Sequence, residues 1–327
     1  IMADLKTSFA GLQLKNPIII GSSGLTDNAE KNEKLDQAGA GAIVLKSLFE
    51  EQIMLESAQM QREGYYTHMS RDVQRYLRHH QLSEYLKLIE NSKAKCSIPI
   101  IASINCFTDN EWVDFATEIE KAGADALEIN ILALQSDLKY KFGSFELQHI
   151  NILKHIKQTV DLPIIMKLGQ NLTNPIILID QLYANGAAGV VLFNRFYQPD
   201  INIETQTHTV GSVFSHRSEL AHSLRWIGIG SAKTLHIDYA ASGGVHAPED
   251  VVKTILAGAS AVEICSTVYK NKNGIIQEMV DFLAHWMDEK GYDRISQFKG
   301  KLNAEDVKGL NNMFERTQFL KYYNLKN

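Results

Sequence analysis

Two kinds of short apolar segment alternate along this chain, and their number restricts what it can fold into. The first kind is NPIIIGSSG (16–24), IPIIASINC (98–106), LPIIMKLGQN (162–171) and LHIDYAASGG (235–244). Each is a β-branched run, and three begin at or next to a proline, which suits the start of a strand. The second kind is AGAGAIVLKS (38–47), AGADALEIN (122–130), NGAAGVVLFN (185–194) and AGASAVEICS (257–266). In each, a glycine stands where a helix would end and a strand follows at once. Between them lie stretches of helical period at 29–38, 110–122, 145–159, 174–184 and 248–256. Strands that alternate with helices lie parallel, and eight of them predict an α/β fold closed into a (β/α)8, or TIM, barrel. The competing arrangement is a doubly wound open sheet with an accessory piece. Even spacing and the count of eight favour closure.

The 327 residues fit one such barrel, and 45% apolar content is enough to fill it. We expect a barrel over 1–303 and a helical tail over 304–327, with further helices at 275–289 and near 295–298. Two connections, 48–97 and 195–224, are too long for plain turns and suit substrate or subunit contacts. A net charge of −5 gives no pull toward nucleic acid or an anionic membrane. No apolar run is long enough to span a bilayer and no signal-peptide pattern opens the chain, so a cytoplasmic location is expected. Cys96, Cys106 and Cys265 lack metal-ligand spacing, so no metal site is expected.

In barrels of this kind the chemistry gathers where the strands end. Those ends carry Ser22 and Ser23, Lys46 and Ser47, Asn105 and Cys106, Asn130, Lys167, Asn194, Gly243 and Gly244, and Cys265 with Ser266. A lysine within a buried strand needs an anion or several acceptors, or it loses its proton. Lys46 and Lys167 are therefore candidates for ligand contact, with a structural ion pair as the plain alternative. The asparagines pair donors with acceptors and suit a flat heterocycle. Small residues after the last two strands let a phosphate approach backbone N–H groups. Phosphate, heterocycle and cation together match flavin mononucleotide (FMN), whose anionic reduced ring a lysine stabilises.

Several stretches resemble the dihydroorotate dehydrogenase family, nearest its class 1: LKNPIIIGSSG, QAGAGAIVLKS, ADALEIN, LPIIMKLGQN, SGGV, GASAVEICSTVYK and the closing EKGYDRISQFKGKL. The resemblance implies an FMN-dependent oxidoreductase that takes dihydroorotate to orotate in pyrimidine biosynthesis, acting on a CH–CH bond. It implies flavin contacts from Ser23, Lys46, Ser47, Asn130, Lys167 and Asn194, and a phosphate held by the backbone of Gly243, Gly244, Cys265 and Ser266. Lys46 would lie between flavin and substrate. The resemblance also implies a homodimer, which the apolar residues Met54, Leu55, Tyr65, Tyr66, Tyr76 and Leu77 would suit as readily as they would suit a lid.

The substrate half departs from the family. Its Asn-x-Ser-Cys-Pro-Asn loop reads Asn130-Ile131-Leu132-Ala133-Leu134-Gln135, with Ala133 where the proton-removing Cys or Ser belongs. The loop after the second strand lacks the family's Asn-x-x-Gly-Leu-Pro-Asn. The family's Gly-Gly-x-x-Gly segment reads Gly211-Ser212-Val213-Phe214-Ser215-His216. Replacement bases are Ser136, Tyr140, Cys106 and His216, each with an ordinary structural role as its alternative. Arg195, next to Asn194, suits a carboxylate clamp or else a surface ion pair. The expected substrate is a small carboxylated or cyclic-amide molecule. The alternatives are an FMN barrel reductase with another substrate and a non-catalytic barrel that binds a phosphate ligand.

Overall fold

The structure, a computed structural model, describes residues 3–49, 71–106, 112–196 and 198–304. Eight parallel strands form its centre: β3 (Ile18–Ile20), β4 (Ala42–Val44), β6 (Ile100–Asn105), β7 (Ala126–Asn130), β8 (Ile164–Gly169), β9 (Ala187–Asn194), β12 (Asp238–Ser242) and β13 (Ala261–Ile264). The ring closes because β13 pairs with β3 at Val262–Ile18 and β4 pairs with β6 at Ile43–Ile100. Every segment singled out by the alternation supplies one stave. The open-sheet arrangement is excluded.

The outer layer comprises α1 (Ala29–Gln37), α2 (Arg71–Lys95), α3 (Trp112–Lys121), α4 (Ser144–Lys157), α5 (Pro175–Ala184), α6 (Leu220–Lys233), α7 (Pro248–Ala257), the short α8 (Ser266–Asn271) and α9 (Gly274–Lys290). Local chemistry sets their starts. Asn28 accepts from the Lys31 N–H at 2.9 Å to cap α1, and Asn174 caps α5 ahead of Pro175. After α9 a single 3-10 turn, Ile295–Gln297, brings Phe298 into an aromatic cluster with Trp286 and Tyr292. The expected tail helix beyond Ala304 lies outside the described residues, as do Met54, Leu55, Tyr65 and Tyr66.

Two hairpins and three helices, α2, α6 and the short α8, have no counterpart in the periodic reading. The strands β1 (Thr7–Phe9) and β2 (Leu12–Leu14) form one antiparallel hairpin. The other, β10 (Pro199–Asn202) with β11 (Thr207–Val210), is exposed along its length within the excursion after β9. Helix α2 lies inside the first long connection and α6 begins at the end of the second and runs past it, where charged and small residues blur the apolar period. A two-residue strand, β5 (Leu48–Phe49), rejoins the sheet beside β6.

The first hairpin closes the N-terminal end of the barrel. Phe9, Ala10 and Leu14 are buried against Ile19, Ala42, Val44, Ile101, Ala126, Ile165, Val191, Ala240 and Ala261. These strand positions face inward, and side chains two residues further along face the same way. Gly189 must be bare for this packing, since a Cβ there would lie 3.1 Å from the Phe9 ring. The Phe9→Ala change should therefore cost about 3–5 kcal/mol in urea unfolding. A loss well below that range would mean the hairpin does not fill the barrel floor.

Candidate active site

Counting two residues on from the apolar floor gives the next inward layer: Ser103 from Ile101, Glu128 from Ala126, Lys167 from Ile165 and Glu263 from Ala261. Three charged side chains thus meet inside the barrel. The Lys167 ammonium lies 2.6 Å from Glu263 Oε2 and 3.5 Å from Glu128 Oε1. Lys167 is 7% exposed, Glu263 3% and Glu128 0%. Burial works against the charged lysine, yet the two carboxyls overcome it and push its pKa up. Burial, reinforced by Glu128, pushes Glu263 up to about 8.

Hydroxyls and amides link this layer to the barrel mouth. Ser103 Oγ reaches Glu128 Oε1 at 3.3 Å and Ser47 Oγ at 2.8 Å, and Ser47 Oγ lies 2.9 Å from Ser22 Oγ. Asn130 donates to Ser103 Oγ at 3.1 Å and to Glu128 at 3.3 Å, while Asn194 donates to Asn130 Oδ1 at 3.0 Å. Tyr85 of α2 donates to the Ser103 carbonyl and accepts its N–H at 2.6 Å.

Two adjoining cavities open above. The smaller, about 170 Å³, is lined by Ser22, Ser23, Lys46, Ser47, Asn130, Lys167 and Asn194, among others. The larger, about 310 Å³, shares Ser22, Lys167 and Asn194 and adds Arg195, Gly243, Gly244, Glu263, Cys265 and Ser266. At Gly243 (φ 85°) a Cβ would come no nearer to a neighbour than 4.0 Å, so this turn presents bare backbone to open space. Gly244 (φ 76°) is instead jammed against α6, where a Cβ would lie 2.2 Å from the Leu220 nitrogen. Ser266 Oγ accepts the Ser215 N–H at 3.0 Å and ties the excursion after β9 to α8. Burial pushes the Cys265 thiol up to about 11, and it donates to the Gly21 carbonyl. It stands there as a neutral thiol.

The ten residues expected to touch a flavin therefore line two connected cavities. One expectation about them needs correction. Lys167 is enclosed, but Lys46 lies beyond the end of β4 with its side chain exposed at the rim. It borders the smaller cavity and a third, about 450 Å³, next to Asp27, His80 and Glu84. A strand that stops at Val44 leaves its ammonium in water.

The proposed bases are scattered. Ser136 is exposed on the loop after β7 and lines neither central cavity. Tyr140 packs on the core beside Phe142, Cys106 is buried in the core, and exposed His216 precedes a short 3-10 turn. Arg195 donates to Glu219 at 3.0 Å and to the Val213 carbonyl at 3.1 Å, while its Nη2 is buried without a protein partner among the described residues. The ion-pair alternative is realised, and one guanidinium nitrogen is left over. Sequence reasoning missed Glu128, Glu263 and Ser103. The rule that flagged Lys167, a charge within a buried strand, applies equally to both carboxylates.

The geometry agrees with the sequence comparisons. A family profile described as dihydroorotate dehydrogenase matches residues 4–287. A "Dihydroorotate dehydrogenase B (NAD(+)), catalytic subunit" of Thermoplasma volcanium is 26% identical over 313 residues, covering 91% of this chain and 98% of the relative. Proteins of the same description are 26% identical in Staphylococcus carnosus (92% and 98% covered) and 28% identical in Methanosarcina mazei (90% and 94%). With its closed barrel and near-complete match, the chain belongs to the dihydroorotate dehydrogenase family.

Proposed function

We propose that the protein is an FMN-dependent oxidoreductase acting on a CH–CH bond beside a carbonyl in a small carboxylated or cyclic-amide substrate. The observation that carries this reading is the meeting of a caged lysine, paired amides and a bare-glycine turn around two connected cavities. The residues present fit FMN. Gly243 opens on space that a side chain would fill, and the buried Arg195 Nη2 still needs an acceptor, which a phosphate oxygen supplies. Gly243, Gly244, Cys265 and Ser266 would hold the phosphate, with Arg195 beside them. Ser23, Ser47, Asn130, Lys167 and Asn194 would hold the ring. When bound, FMN supplies reversible two-electron acceptance.

The chain's own residues do the rest. Lys167 keeps a fixed positive charge beneath the cavities, Asn130 and Asn194 orient a flat ligand, and Lys46 waits at the rim to meet an anionic substrate. The names of the relatives make dihydroorotate the first substrate to test. A second reading, a reductase of a different carbonyl-conjugated substrate, is favoured by Ala133, which has no proton to exchange. The homodimer belongs with this proposal. Among the described residues no helix is long and apolar enough to cross a membrane.

After reconstitution with FMN the purified protein should show the flavin's visible absorption band, and a colourless product would overturn the flavin reading. In an anaerobic titration, Ala133→Cys should speed flavin reduction by dihydroorotate by about 10²-fold or more over the unaltered chain, the usual worth of a positioned base. Equal rates would favour the second reading. Lys167→Met strands two buried carboxyls and should cost about 3–5 kcal/mol in urea unfolding. That loss should grow as pH rises and Glu263 ionises. A pH-independent loss would mean that packing, not charge, was removed.

A further inference from the structure

Beneath the cavities lie two carboxyl groups and one ammonium, an unequal count for side chains of which no more than 7% is exposed. If both carboxyls were ionised, a net negative charge would sit in the barrel, and buried uncompensated charge is expensive. Glu128 Oε2 is buried and finds no donor among the described residues. Burial and the negative charge of Glu128 nearby favour the protonated form of Glu263. One proton on the pair therefore leaves a single carboxylate to balance the Lys167 ammonium.

Glu263 borders the larger cavity, Glu128 borders neither, and a path from Glu128 is also present. From Glu128 the contacts run to Ser103 Oγ at 3.3 Å, to Ser47 Oγ at 2.8 Å and to Ser22 Oγ at 2.9 Å. Ser103 is fully buried and Ser47 nearly so, while half-buried Ser22 lines both cavities. Each hydroxyl both donates and accepts, so the line can reverse direction. Asn130 occupies one acceptor site of Ser103 and the Ser47 N–H occupies one of Ser22, which points the free hydroxyl hydrogens along the line.

We propose that Glu128 and Glu263 share one proton and exchange it with the cavities through Ser103, Ser47 and Ser22, so that the floor of the site takes up a second proton when a bound ligand gains negative charge beside Lys167. The stoichiometry is one proton from water for one unit of ligand charge. An O–H bond forms on the remaining carboxylate, and no electron moves through the protein. The groups facing the pair are Lys167 from β8, Ser103 from β6, the neutral Cys265 thiol after β13 and, behind Ser103, the Tyr85 hydroxyl from α2. Lys46 faces it only from the rim. Lys167 is already matched by the carboxyls, so added ligand charge needs the proton. The ligand's change of charge rests on the flavin reading, whereas the shared proton and its path do not.

Infrared spectroscopy of the protein without FMN tests the proton itself. One buried carboxylic-acid C=O band is expected, fading as pH rises through about 8 and absent from Glu263→Gln. In D2O the shift of that band should slow tenfold or more in Ser47→Ala, which cuts the line but spares both carboxyls. No acid band at neutral pH, or equal exchange rates, would overturn the proposal. Unfolding gives a second arm. Glu263, raised from 4.5 to about 8, contributes stability that is full below 4.5 and is lost as pH rises through about 8. Glu263→Gln should flatten that slope, and an unchanged slope counts against the proposal. With FMN loaded, the unaltered protein should take up one more proton on reduction than Glu263→Gln does, and equal uptake would refute the coupling. Failure of FMN to bind would sink the flavin reading alone and leave the infrared result standing.

Discussion

The contact between the Lys167 ammonium and the Glu263 and Glu128 carboxyls is the constraint around which this barrel is arranged. Such a cluster is costly in a low-dielectric interior and is retained only where its members satisfy one another. A closed ring of strands supplies the setting, because every stave has a hydrogen-bonding neighbour on both sides. The apolar floor built on Phe9 and Leu14 seals one end. The charged layer therefore faces the cavities at the mouth.

The two halves of the site sit on different kinds of backbone. The parts that fit a flavin lie on strand ends and tight turns, whose positions follow from barrel closure: Asn130 and Lys167 are paired in register between β7 and β8. The parts proposed to meet substrate lie on the loops after β4, β7 and β9, which the staves do not constrain. Divergence accordingly falls on the loops, with Ala133 in one and Arg195 at the start of another, while the strand-end residues keep the family pattern. A site divided in this way can change what it acts on without losing the proposed flavin cradle.

Much of this was legible in the sequence because a barrel stave is a local signal. Proline and glycine punctuate the chain at 17, 99, 163, 39, 123, 186 and 258, and each marks a boundary close to the one observed. The hairpin at the floor was not legible, since three-residue strands such as TSF and LQL are too short to show a period. Helix α2 was hidden by its run of charged and polar residues. Glu128 and Glu263 were overlooked for another reason. Their segments had already been assigned as strands, and a charge within a strand is informative only when its neighbours are known to be enclosed. The exposure of Lys46 likewise depends on where β4 stops, and pattern alone cannot place that point.

Between β4 and β6 the register pairs end at Val44–Ile101, and β5 resumes contact with β6 only at Leu48–Ile104. Across that interval the Ser103 peptide groups are held by the phenol of Tyr85 instead of by a neighbouring stave. The cylinder thus has a seam, fastened by a side chain from an outer helix. The strand that carries Ser103 toward the inner acids is therefore fixed on that side by a hydroxyl from α2, a helix that otherwise stands apart from them.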